Sequence, residues 1–250
     1  MTDQTRKSHW LAILLCSLAV AAAYGLYSGR LVVPERFNPW APLDVMTAPN
    51  LLTSYKLTQA RSDPQRCLAA LAQTGMQYDL LPDRVTAPGC GFDNAVRVRQ
   101  AGVRLGAPLP LSCPMALSFA MWERHALQPA ARLHFGQRVI AIEHLGSYAC
   151  RNINRGEGSP PEASAGSRSR HATADALDIA AFTLDNGRQV SVLKAWLGSS
   201  NGPLRTPEAR LLADAHRGAC IYFNGVLGPD YNAVHSDHFH FETGGYGMCR

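Results

Sequence analysis

The chain has 250 residues, 46% of them hydrophobic and 17% charged, with 24 Lys and Arg against 19 Asp and Glu and a net charge of +5. That is too apolar for a disordered chain and enough for one or two domains. The mild positive charge suits an anionic polymer or surface, and without a P-loop, GxGxxG or zinc-finger pattern neither nucleic acid nor nucleotide is expected as a partner.

Trp10 to Tyr27 carries no charge over 18 positions and follows Arg6 and Lys7. As a helix it would rise about 27 Å at ~1.5 Å per residue, close to the ~30 Å hydrocarbon core of a bilayer. The basic flank places residues 1–9 in the cytoplasm and makes residues 10–27 an inner-membrane anchor. Ala21-Ala22-Ala23 leaves a cleaved signal peptide as the alternative. Either way the rest of the chain is expected in the periplasm. Residues 28–61, punctuated by Pro34, Pro39, Pro42 and Pro49, read as an extended tether, and residues 62–250 as the folded domain.

Cys16 lies in the apolar run, which leaves Cys67, Cys90, Cys113, Cys150, Cys220 and Cys249. Six cysteines in an exported domain read as three disulfides, and sequence alone does not choose among the pairings. The local set Cys67–Cys90, Cys113–Cys150 and Cys220–Cys249 is the expectation. With no CxxC pair, a structural zinc site of cysteines is disfavoured.

Gln65–Met76 has a helical pattern closed by Gly75, followed by a turn-rich stretch to Phe92; Ala95–Val103 alternates as a strand does. Ser112-Cys113-Pro114 opens a helix, with serine as cap and proline in the first turn. Met115, Phe119, Trp122 and Ala126 give that helix an apolar stripe for the core. Val139–Ile142 is a buried strand. Ile179–Leu184 and Gln189–Ala195 flank Asp185-Asn186-Gly187, a hairpin signal. Pro207–Gly218 is an amphipathic helix, and His238–Glu242 a short strand. Asn154–Arg170 is a polar, glycine- and proline-rich loop. The order describes an α+β single domain with a small central antiparallel sheet and flanking helices behind an N-terminal transmembrane helix.

Four of the nine histidines crowd two short segments, Ser169–Asp178 (His171) and His235–Glu242 (His235, His238, His240). Histidines with a carboxylate form a frequent Zn²⁺ donor set that leaves a coordination position open. With no thiolate or methionine in the set, zinc is favoured over copper. Strand alternation puts His238, His240 and Glu242 on one side, which makes Glu242 a candidate for orienting a ligand. His125, His134, His144 and His216 read as packing or surface residues.

Ser169, His171, Ala176 and Asp178 resemble the SxHxxGxAxD signature of zinc peptidases grouped as lysostaphin, D-alanyl-D-alanine carboxypeptidase and hedgehog. His235, His238 and His240 resemble the HxxHxH run of the penicillin-insensitive murein endopeptidases. Across roughly residues 40–250 the chain is similar to the bacterial extensin-like C-terminal domain family. The shared words are Ala41-Pro42-Leu43-Asp44, Cys113-Pro114-Met115-Ala116, Ser147-Tyr148-Ala149-Cys150-Arg151, both clusters and Cys249-Arg250. One departure is Ala174, where the peptidase signature has a glycine able to take positive φ.

The resemblance implies a hedgehog/D-Ala-D-Ala carboxypeptidase-like fold and Zn²⁺ held by His171, Asp178 and His240. It implies His238 as general base, with Asp237 as the runner-up, and Arg151 as an electrostatic partner of the oxyanion. His235 would touch substrate or orient a ligand. The implied activity is that of a periplasmic, membrane-tethered zinc peptidase cutting peptide bonds of peptidoglycan, as endopeptidase or carboxypeptidase. Two alternatives stay open: a non-catalytic peptidoglycan-binding module that retains zinc, and a structural zinc domain with His238 as fourth ligand.

Overall fold

The computed structural model describes residues 2–153, 167–196, 206–245 and 247–250. The expected loop 154–170 therefore lies mostly outside the described residues. Two compact units are present, residues 1–41 and 42–250.

In the first unit, helix α1 (Thr2–Tyr27) includes His9–Tyr27, 19 residues long and apolar enough to cross a membrane or to serve as a signal sequence. At ~1.5 Å per residue that segment spans about 28 Å. Leu11, Ile13, Leu14, Leu15, Leu18 and Val20 are all exposed, and a helix apolar all round belongs in an apolar surrounding.

The second unit begins before the expected boundary at residue 62. Helix α2 (Thr53–Arg61) lies within the stretch read as extended tether, and Leu43, Val45, Leu57 and Ala60 are buried in the core. The prolines that suggested a tether end at Pro49, before α2 starts. Arg61 Nη1 donates to the Tyr222 carbonyl oxygen (2.9 Å) and to Ser118 Oγ (3.2 Å), and His125 Nε2 meets the Val45 carbonyl oxygen (2.9 Å). The tether proper therefore ends near Ala41.

Helix α3 (Pro64–Ala72) starts at Asp63, whose side chain caps the Arg66 N–H, and Gly75 follows it in the left-handed conformation. The stretch read as turns holds three short strands: β1 (Gln77–Leu80), β2 (Arg84–Ala87) and β3 (Cys90–Phe92). β1 joins β4 (Ala95–Gln100) and β5 (Leu109–Ser112) in a three-stranded antiparallel sheet, while β2 and β3 pair alone. Helix α4 (Cys113–Trp122) is capped by Ser112 Oγ, which accepts from Met115 N, with Pro114 in its first turn. It is buried on every side, not along a single stripe, because sheet and helices enclose it. A π turn (Glu123–Leu127) leads into α5 (Gln128–Phe135).

The largest sheet holds β6 (Val139–Gly146), β7 (Ala176–Leu184), β8 (Gln189–Ser191), β9 (Gly225–Leu227), β10 (Phe239–Glu242) and β11 (Met248–Cys249). Its order is β11-β9-β10-β7-β6, with β8 also on β7. All pairs are antiparallel except β9 with β11. The second hairpin strand is shorter than expected: β8 pairs only with Ala181–Thr183, and the chain turns at once into helix α6 (Val192–Ala195). Helix α7 (Pro207–Ala219), capped by Thr206, completes the domain.

Alternation sorts the central strands. Leu177, Ile179, Phe239 and Phe241 point to the core, where Phe241 meets Trp122 edge-on at 5.1 Å. Trp122 also touches Phe119, Phe182 and Phe223, and its Nε1–H donates to the Ala215 carbonyl oxygen at 2.8 Å. The opposite face of the same strands carries Asp178, His240 and Glu242.

The disulfides are Cys67–Cys113, Cys90–Cys150 and Cys220–Cys249. Only the last matches the local set. Cys67 and Cys113 lie on the packed helices α3 and α4, and β3 delivers Cys90 to the segment after β6, so the fold brings distant cysteines closer than sequence neighbours.

His216 on α7 packs against Trp196 and Phe239, and its Nε2 has no hydrogen-bond partner among the described residues. Burial pushes its pKa down to about 4, against the raising effects of the Arg250 backbone and the Asp230 charge. The unfolded chain binds this proton near pH 6.5 and the folded one only near 4, so this stability is complete above 6.5 and is lost as pH falls to 4. A loss of about 3 kcal/mol at most is expected, at ~1.4 kcal/mol per pH unit. Urea denaturation at pH 7 and pH 4.5 measures it, and His216→Phe is expected to flatten that dependence.

Candidate metal centre

His171 sits on a 3-10 turn (Arg170–Thr173) capped by Ser169, whose Oγ accepts from His171 N. The turn ends at Ala174, held at φ 57° with its residue fully buried. Left-handed backbone costs a non-glycine residue about 1–2 kcal/mol. The surroundings fix it there: Ala174 N–H donates to the His171 carbonyl oxygen (3.2 Å), and its own carbonyl accepts from Ser112 N (2.9 Å). This left-handed residue reverses the chain into β7 and brings Asp178 beneath His171.

The register of β7 and β10 supplies the rest. His240 lies directly opposite Asp178 across an antiparallel ladder, so both side chains leave the same face. His171 Nε2 lies 3.1 Å from Asp178 Oδ2 and 3.2 Å from His240 Nδ1, and His240 Nδ1 lies 2.8 Å from Asp178 Oδ1. One donor atom from each falls within 4.8 Å of the others.

Outer hydrogen bonds decide what the rings present inward. His171 Nδ1 meets the Ser147 carbonyl oxygen (3.2 Å), which can only accept, so Nδ1 carries the hydrogen and Nε2 turns a lone pair to the centre. Ser147 follows directly on the end of β6, and Ala149 N–H holds the His171 backbone oxygen at 3.1 Å. His240 Nε2 faces Glu242 Oε2 (3.0 Å), leaving Nδ1 inward. Burial alone raises the Asp178 pKa, but the adjoining imidazoles of His171 and His240 hold it far below the carboxylate range. Burial alone would lower His240, but Asp178 and Glu242 outweigh it and raise its pKa to about 9 without an ion. Two imidazole nitrogens and a carboxylate, each oriented from behind, fit a divalent cation.

The other expected site residues surround this core. His238 immediately precedes β10. Its Nδ1 donates to Asp237 Oδ1 (2.7 Å) and its Nε2 lies 3.6 Å from Asp178 Oδ1. Asp237, the runner-up base, holds the Nδ1 side of the His238 ring, because the strand starts only at Phe239 and leaves Asp237 outside its alternation. His235, on a 3-10 turn capped by Asn232, has its Nδ1 at 2.7 Å from Asn232 Oδ1 and packs against the rings of His238 and His240. Burial, then the charges of His240 and His238, push its pKa down to about 4, so it is uncharged at neutral pH. Arg151 is exposed after the Cys90–Cys150 bridge, and its charge reaches His235.

Two contributions had little sequence signal. The Ser147 carbonyl is backbone and belongs to no chemical motif. Asn232 could have been found as a capping residue before His235. Of the histidines outside the site, His134 meets Asp214 (2.7 Å) and His144 meets the Leu105 carbonyl oxygen (2.8 Å).

The architecture defines a mixed helix-and-sheet domain braced by three disulfides, with a His–Asp–His donor set formed by two middle strands of its largest sheet and the turn that leads into β7. The chain belongs to the extensin-like protein C-terminus family, whose model matches residues 65–250. Neither a curated protein nor a solved structure matches the chain.

Proposed function

We propose that this protein is a membrane-tethered zinc peptidase of the periplasm that hydrolyses peptide bonds of peptidoglycan, with His171, Asp178 and His240 holding Zn²⁺. The observation that carries this reading is the inward turn of His171 Nε2 and His240 Nδ1 onto one carboxylate, each imidazole held by an acceptor behind it. Neutral nitrogen and hard oxygen donors suit zinc, and three protein ligands leave room for substrate. Three disulfides and an apolar N-terminal helix suit an exported, tethered domain.

Bound there, Zn²⁺ supplies a Lewis acid for the scissile carbonyl and lowers the pKa of water towards neutrality. His238 Nε2 takes the proton from the attacking water and returns it to the leaving amine nitrogen. Asp237 keeps the His238 ring in the tautomer that can do so. Arg151 meets negative charge developing on the substrate oxygen, and uncharged His235 lines the approach beside His238.

The test is mass spectrometry of muropeptides after incubation of sacculi with the full-length protein in detergent, with and without a chelator. Chelator-sensitive release of cut stems or cross-links is expected. Zinc-loaded protein that binds sacculi and releases nothing would overturn the enzymatic reading in favour of a binding module.

A further inference from the structure

His240 presents Nδ1 inward, while His171 presents Nε2. An imidazole flips by half a turn about its ring axis at small cost unless its far side is held. A flipped His240 would put a carbon where the donor belongs. Its far nitrogen, Nε2, lies 3.0 Å from Glu242 Oε2. Glu242 stands two residues on in β10 and leaves the same face of the sheet.

The Glu242 side chain reaches that position by lying over a residue with no side chain. Gly225 on β9 is its direct partner across the ladder. A Cβ at Gly225 would stand 2.4 Å from Glu242 Cγ and 2.8 Å from both its Cδ and Oε1. Atoms do not approach so closely, and Cγ is the root of the side chain, not a flexible tip. Any larger residue at 225 must push the carboxylate off His240. Gly225 does not adopt the left-handed φ that favours glycine. Space, not conformation, is what this position requires.

We propose that Glu242 is a positioning residue of the metal centre, fixing His240 with Nδ1 towards the ion, and that Gly225 is the gap in β9 that admits it. The inference rests on His171, Asp178 and His240 forming a metal centre. A carboxylate behind a ligating histidine typically contributes 10–100-fold in metal affinity.

The experiment measures Zn²⁺ affinity of the full chain in detergent by competition with a chromophoric chelator. Glu242→Ala is expected to weaken binding 10–100-fold, and Glu242→Gln, whose amide oxygen still accepts from Nε2–H, to recover part of that loss. Gly225→Ala should weaken binding as Glu242→Ala does, although every ligand and Glu242 itself remain. The double variant should bind no worse than Glu242→Ala alone, because the clashing carbons are gone. Melting of the zinc-free proteins reports any general structural cost separately. Affinity within twofold of wild type in Glu242→Ala, no recovery in Glu242→Gln, or multiplying losses in the double variant would overturn the proposal. Should Gly225→Ala not fold, the Glu242 pair decides. A wild-type protein that takes up no zinc overturns the metal centre itself, a result distinct from any of these.

Discussion

His171→Ala and Asp178→Asn are each expected to lose bound zinc and turnover together, whereas His238→Ala keeps stoichiometric zinc and turns over about 10²–10⁴-fold more slowly. The difference follows from position. His171 Nε2 and Asp178 Oδ2 are 3.1 Å apart and face the same point as His240 Nδ1, so losing either leaves two donors. His238 Nε2 stands further out, 3.6 Å from Asp178 Oδ1. Asparagine is chosen at 178 because it keeps the shape while removing the charge that His171 and His240 surround. Zinc content by elemental analysis and peptide release measured on one preparation check both halves. Unchanged turnover in His238→Ala would remove His238 as the base, and retained zinc in Asp178→Asn would remove the carboxylate from the ligand set. Asp237→Asn is the milder companion, since it loosens the His238 ring without removing it.

Loss of the Cys67–Cys113 bridge is expected to cost about 4 kcal/mol of stability, from the chain entropy of a loop this long. The two cysteines are 46 residues apart, fully buried, and join α3 to α4. The first residue of α4 follows Ser112, whose backbone N–H holds the Ala174 carbonyl, so softening here is felt in the turn that carries His171. Urea denaturation of the Cys67→Ala/Cys113→Ala protein measures the loss. Non-reducing peptide mapping checks the pairing directly: a Cys67–Cys90 peptide in its place would contradict the fold.

Much of the local structure was legible. Ser112 and Pro114 marked the start of α4 because a cap and a fixed φ act within one turn, and the observed Ser112 Oγ to Met115 N bond is that local event. Asp185-Asn186-Gly187 marked a hairpin for the same kind of reason. The glycine-to-alanine departure at 174 pointed to a place of unusual backbone, and Ala174 is left-handed. Residue type and spacing marked the two histidine-bearing segments, and the resemblance to the zinc-peptidase signature singled out His171, Asp178 and His240 within them.

Other features were not legible. The expected tether hid α2, because prolines up to Pro49 say nothing of the residues after them, and burial of Leu43 and Leu57 is a matter of partners far along the chain. The strand expected from His238 starts at Phe239, which leaves Asp237 to hold the His238 ring; where a strand begins depends on where its neighbours β7 and β9 offer hydrogen bonds.

The sequence by itself determined the caps, the turns, the alternation of β7 and β10 and the chemistry of the donors, since each depends on bonds within a few residues. Only the tertiary structure decided that His240 stands opposite Asp178, 62 residues away, that Cys67 reaches Cys113, and that Gly225 leaves room for Glu242. Those depend on register and helix packing, which sum many weak contacts between distant segments and leave no mark at any one position.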